Sequence, residues 1–257
     1  MKKIALVILI LTFVACTKDN DVDNANNNSG SDATANQQPV GTSANDLLAD
    51  DTFTSMVIEV AYIDGYEPSQ TSINNLIAFL EARTYKPNGI TVEIRPIIST
   101  QDSPYTNQDI VAIEDANRTK FNTANRIAVW AFFADGESAS NSNSGVVLGT
   151  AYRNTSFVIY EETIHGLSDS PLEPSRSLLE TTVIMHEFGH ILGLTNLGSD
   201  LQSNHEDASH PKHCNVESCL MFWAAETGSG IGNMISNGSA PQLDAQCIAD
   251  LQANGGK

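Results

Sequence analysis

His186-Glu187-Phe188-Gly189-His190-Ile191-Leu192-Gly193 is the stretch from which the rest of the chain is read. It lies in a run, Ser175 to Leu194, that reads as one helix. Ser175 or Ser177 stands near its start, Leu178, Leu179, Val183 and Ile184 along its length, and Gly193 at its stop. Residues four apart on a helix share one face a turn apart, so the His186 and His190 imidazoles can grip one ion. Glu187 is turned by about 100° from His186, close enough to exchange a proton with water at the ion without ligating it. Neutral imidazoles around an open tetrahedral position suit zinc. Zinc lowers the pKa of water to about 7, and a nearby carboxylate can take the proton and deliver it to a leaving amine. The other reading is that two of the chain's 6 histidines flank a glutamate by chance on an amphipathic helix. Gly189 speaks against chance, because a mid-helix glycine costs about 1 kcal/mol relative to alanine. That cost makes sense if another chain segment packs close against the backbone there. The residues therefore point to zinc hydrolase chemistry.

Through Gly193 the run resembles the first part of the metzincin metallopeptidase motif, H-E-x-x-H-x-x-G-x-x-H, in which the glycine turns the chain toward a third histidine. Three residues after Gly193 stands Asn196, a departure from that motif and a poor zinc ligand. Downstream, His213-Cys214-Asn215-Val216-Glu217-Ser218-Cys219-Leu220-Met221 resembles the archaemetzincin continuation H-C-x-x-x-x-C-x-M, residue for residue. On this resemblance a loop, Leu197 to Lys212, is inserted between the glycine turn and the third ligand. The resemblance implies zinc on His186, His190 and His213, Glu187 as general base, and Met221 as the methionine turn beneath the metal. It also implies an α+β fold: a metzincin-like twisted mixed sheet, an active-site helix and a smaller C-terminal subdomain.

His205 is the alternative third ligand, with His210 behind it, since both lie on a polar loop able to fold over the site. Asp200, Glu206 and Asp207 offer a composition for calcium. Archaemetzincins carry a second, structural zinc on four cysteines, the last two in C-x-x-C. Here Asp244-Ala245-Gln246-Cys247 stands in that place, so Cys214, Cys219, Cys247 and Asp244 form the matching set. The alternative is a disulfide among the three cysteines, which an exported location permits and which the sequence favours.

Upstream, the pattern alternates. Met56–Tyr62 reads as a strand, then a helix from Ser69 or Ser72 through Arg83, a strand at Ile90–Ile98, a helix near Thr106–Phe121 and a strand at Arg126–Ala134. Strand–helix alternation points to a largely parallel sheet. Val146–Tyr152 and Ser156–Glu161 read as two more strands, a hairpin or sheet edge. Gly228-Ser229-Gly230-Ile231-Gly232 follows no strand, so a phosphate-binding reading is weak.

At the N-terminus, Lys2-Lys3 precedes the apolar run Ile4 to Ala15, too short to span about 30 Å of hydrocarbon as a helix. Residues 1–15 read as a signal peptide, and Phe13-Val14-Ala15-Cys16 resembles the lipobox of bacterial lipoproteins, with Cys16 the lipidated residue. Residues 16–50, rich in Asn, Asp, Ser and Gly, read as a disordered tether, and 51–257 as the catalytic domain. Lys18-Asp19-Asn20-Asp21 resembles a surface-sorting signal. Localisation is thus expected at the outer membrane or cell surface. The chain has 257 residues, with 31 acidic against 13 basic side chains and a net charge of −18. That balance argues against nucleic acid as a partner and against a membrane partner other than through the lipidated N-terminus. The expected partner is a peptide or protein substrate, cut by a zinc-dependent endopeptidase. The rival readings are a degenerate binding lipoprotein, motivated by Asn196 and the inserted loop, and a metal-scavenging lipoprotein, motivated by acidity.

Overall fold

Met56-Val57-Ile58-Glu59-Val60-Ala61 and Ile127-Ala128-Val129-Trp130-Ala131-Phe132 are nearly unbroken apolar runs, the pattern of strands covered on both faces. In the computed structural model, which describes residues 33–143, 145–227 and 238–257, they form the centre of one sheet. These are β1 (Ser55–Ile63) and β3 (Arg126–Phe133), and almost every side chain of both is buried. With β2 (Ile90–Ile97), β4 (Gly149–Arg153) and β5 (Ser156–Ile159) the strand order is β2-β1-β3-β5-β4. Four strands run parallel and β4 pairs antiparallel with β5 at the edge. The sheet is therefore mixed, with the parallel part and the edge hairpin both legible in the residue pattern.

Helix α2 (Gln70–Arg83) links β1 to β2, with the Ser69 hydroxyl accepting from the Ser72 N–H at its start. Helix α3 (Asn107–Asn117) links β2 to β3 behind a capping box, in which Thr106 and Asp109 satisfy each other's backbone N–H groups. It ends at Asn117, short of the expected Phe121. Arg118 leaves the helix to bury its guanidinium against Glu114, Ser156 and the Ala128 carbonyl. After α4 (Glu161–Gly166) comes α5 (Arg176–Ile191), buried from Leu179 to its end. Its residues Leu179, Val183, Phe188 and Ile191 share one apolar core with α2 and the sheet. A second core holds Ile110 and Ile113 of α3 with Trp130, Phe132, Val158 and Tyr160. The last helix, α6 (Ala245–Ala253), buries Cys247 and Leu251 in the main core.

The tether does not extend to residue 50. Ala33–Asn36 is a turn of 3₁₀ helix and Ala44–Leu48 a short α-helix, α1 by chain order. Ala44, Leu47 and Leu48 are buried, the two leucines in the main core. The Asn36 amide donates to Asn122, Thr155 and the Ala128 carbonyl. The spacing 44, 47, 48 is helical and apolar, a signal that the polar residues around it outnumber. The folded domain thus begins before residue 51. The signal segment, Cys16, residues 17–32 and the run Gly228–Gly232 lie outside the described residues.

Candidate metal centre

One turn of α5 sets the two rings. His186 and His190 are buried, and their Nε2 atoms stand 3.1 Å apart. His186 Nδ1 donates to the Leu220 carbonyl at 2.7 Å, which leaves its Nε2 with a lone pair facing His190. At this separation the two ring nitrogens can share one N–H···N hydrogen bond or, with both lone pairs turned inward, one cation. Burial holds the His190 pKa down at about 4, with Glu226 opposing that effect and the neighbouring His186 and His213 adding to it. Its neutral form is the one a metal requires.

The chain then reverses. Gly193 has φ +82°, and a Cβ there would stand 2.6 Å from Ser199 N and 2.7 Å from Ala44 Cβ. Thr195 and Asn196 continue the left-handed turn at φ 55° and 69°. The inserted loop is tied at its base, where the Thr195 hydroxyl donates to the Lys212 carbonyl. Asn196 turns its amide to Glu206, and Glu206 accepts from the Lys212 N–H. Closing the loop delivers His213 beside the pair, with ring centroids 5.4 Å from His186 and 5.2 Å from His190. Its Nδ1 donates to the Pro211 carbonyl at 3.1 Å. Its Nε2 is buried, and Glu226 Oε2 at 3.4 Å is the neighbouring polar atom that faces it.

Met221 lies beneath. A Cβ on Gly189 would collide with Met221 Sδ, so the mid-helix glycine answers to the close approach of this side chain. Glu187 is fully buried against β4, where a Cβ on Gly149 would come within 2.7 Å of Glu187 Oε1. Burial pushes the Glu187 carboxyl well above its ordinary value and the charge on Glu226 adds to this, with the Ala151 backbone opposing.

Glu226 is the residue that sequence reasoning missed. Its Oε2 lies 3.8, 3.6 and 3.4 Å from the Nε2 atoms of His186, His190 and His213. Among the described residues these four make one of two groups able to hold a metal ion. Burial opposes ionisation of Glu226, but the three imidazoles outweigh it and hold the carboxyl far below the usual range. No spacing rule marks Glu226, because its place is set by pairing with a segment far away in the chain: Leu148 N–H donates to the Glu226 carbonyl and Thr227 bridges Val147.

No family model matches the chain, and no curated protein does. Among solved structures it is similar to archaemetzincin from Methanopyrus kandleri, with a TM-score of 0.51 and 15% identity over 78% of this chain and 96% of that one. The fold is archaemetzincin-like. At that identity the likeness speaks for the fold alone.

The second group is His205, Cys214, Asp244 and Cys247, with Cys219 against it. His205 is therefore not at the α5 pair: its Nε2 meets the buried Asp250 carboxylate on α6 at 2.7 Å, and its Nδ1 faces Cys214 Sγ at 3.5 Å. His210 lies elsewhere too, bonded to Asp207 and stacked on Trp223 at 4.4 Å. Asp200, Glu206 and Asp207 do not form a metal-capable group among the described residues. The favoured disulfide is not formed. All three cysteines are free, and Cys219 and Cys247 sulfurs stand 3.6 Å apart. Cys214 and Cys247 sulfurs instead face His205 Nδ1, at 3.5 and 4.0 Å. Backbone N–H groups donate to the sulfurs, from Val216 to Cys214 and from Met221 and Asp244 to Cys219. Hydrogen bonds from Cys214 and Cys247 hold the Cys219 thiol below its ordinary value, with burial opposing. Asp244 caps α6, its Oδ1 accepting from Gln246 and Cys247 N–H, with Oδ2 3.5 Å from Cys214 Sγ.

Proposed function

We propose that the chain is a zinc-dependent endopeptidase. The observation that carries this reading is the convergence of three buried imidazole Nε2 atoms on Glu226 Oε2, with the buried Glu187 next to His186 on α5 and under the charge of Glu226. His186, His190 and His213 would hold the ion, and two of them have Nδ1 fixed by backbone carbonyls. Zinc held there would supply an acidified water and a Lewis acid for a carbonyl. Glu187, whose carboxyl burial makes a stronger base than an exposed one, takes the proton from the attacking water and returns it to the departing amine. Its position depends on Gly149, since any side chain there would displace it. As the edge of the sheet, β4 offers one side of its backbone to an extended peptide.

A second, structural zinc would lie on Cys214, Cys219 and Cys247. The buried His205 is better placed than Asp244 as the fourth ligand, because Asp250 fixes its ring and Asp244 is engaged as a helix cap. Export and lipidation at Cys16, with display at the outer membrane or cell surface, complete the proposal on the strength of the residue 4–16 pattern.

Glu187→Gln tests the assignment. It should retain zinc and lower cleavage of an unstructured protein such as casein by about 10²–10⁴-fold, because shape survives and the base does not. Chelator-sensitive cleavage by wild type completes the test, and unchanged cleavage by the variant would rule the mechanism out. The binding-module reading gains from Glu226, which stands where a catalytic centre keeps an open position.

A further inference from the structure

We propose that Glu226 is a fourth, displaceable ligand of the α5 metal, so that the resting molecule is closed by its own chain. This rests on the zinc reading of His186, His190 and His213. Zinc bonds of 2.0–2.1 Å in a tetrahedron put neighbouring ligand atoms roughly 3.3 Å apart. His190 Nε2 lies 3.1 Å from His186 Nε2, and Glu226 Oε2 lies 3.4, 3.6 and 3.8 Å from the three nitrogens. These four separations are near the edge length of such a tetrahedron, and all four ligand atoms lie within 4.8 Å of one another.

The backbone around Glu226 occupies the place where an extended peptide would enter. Leu148 N–H donates to the Glu226 carbonyl at 2.8 Å, and Thr227 forms an antiparallel bridge with Val147. Residues 147 and 148 lead straight into β4, whose first residue, Gly149, abuts Glu187. Glu226-Thr227 thus pairs with this approach to the edge as a short added strand and sends a carboxylate to the metal. Of the four ligating side chains, Glu226 is 28% exposed while the histidines are 0, 7 and 11% exposed. It is the one that can leave toward solvent without opening the core. Closed four-ligand zinc sites are structural and catalytic ones keep a position free, so turnover requires Glu226 to yield its place to substrate.

The test uses the full chain, zinc-loaded and cobalt-substituted, as wild type, Glu226→Ala and Glu226→Gln. Acetohydroxamate is the probe, since it binds only an ion with a free position. Both variants should bind it at least about tenfold more tightly than wild type. Their cobalt absorption should also shift, and casein cleavage should rise. Glu226→Gln keeps size and shape and carries the test if Glu226→Ala does not fold. Equal acetohydroxamate affinity and identical cobalt spectra in all three proteins would overturn the proposal. If the variants bind the probe more tightly yet none cleaves casein, the latch stands and the peptidase reading falls.

Discussion

At Gly189, helix propensity and packing pull in opposite directions. Alanine there would gain about 1 kcal/mol of propensity, but its Cβ would collide with Met221 Sδ and stand 3.1 Å from Met221 Cε. Overpacking a buried site costs about 1–3 kcal/mol, so after the propensity gain Gly189→Ala should lose net stability by up to about 2 kcal/mol. A lower urea midpoint would report it. Met221→Ala alone should cost about 2–5 kcal/mol through the cavity it leaves. In the double variant the new Cβ enters that space, and the combined loss should fall short of the two single losses added. Strict additivity would mean that the two residues do not press on each other. Residues of this kind were legible because their spacing is local: His186, Glu187, Gly189 and His190 announce themselves within one helical turn and a half. Glu226 was not legible, because pairing of residues 226 and 227 with the distant Leu148 and Val147 sets its place beside the histidines.

Among the elements, the inserted loop does two jobs, and the sequence showed only one. Its length is what lets His213 return to α5, which the pattern from His213 to Met221 implied. Its other contribution, His205, was expected near the same ion but faces Cys214 instead, drawn there by Asp250 on α6. That choice depends on where a distant helix docks, which no local spacing encodes. Burial opposes protonation of His205, while Cys214 and Asp250 favour it and prevail. A metal on Nδ1 would take the place of that proton. His205→Ala should therefore lose one of two bound zinc ions, measured by elemental analysis, and keep the ion on α5. His213→Ala should show the opposite selectivity. If His205→Ala retains both ions while Asp244→Ala loses one, the fourth ligand is the aspartate. The alternating strands and helices, in contrast, followed from period and capping alone, and their main errors lay at ends such as Arg118, where the backbone leaves the helix and the guanidinium is buried against Ser156 and the Ala128 carbonyl.

At the scale of the whole molecule, an acidic chain stores some of its carboxylates in the core, and this gives its stability a pH dependence that the surface charge does not. Glu161, at the start of α4, is fully buried against Glu180 of α5, with His165 and Arg176 beside the pair. Burial, then the charge and hydrogen bond of Glu180, push its carboxyl up to about 10, with Arg176 opposing. Unfolded, the same group ionises near the ordinary glutamate value of about 4.3. Between these limits the folded state holds a proton that the unfolded state has released. The stability contributed by neutral Glu161 is thus complete below about pH 4 and is lost as pH rises toward 10. Glu161→Gln keeps a neutral side chain of similar shape and removes the titration. The variant should match wild type near pH 5 and gain on it by up to about 1.4 kcal/mol per pH unit toward pH 8. Urea unfolding of both proteins at pH 5, 6.5 and 8 reads the divergence directly. Parallel curves across that range would place the proton elsewhere, and a gap that widened toward acid would reverse the sign of the argument.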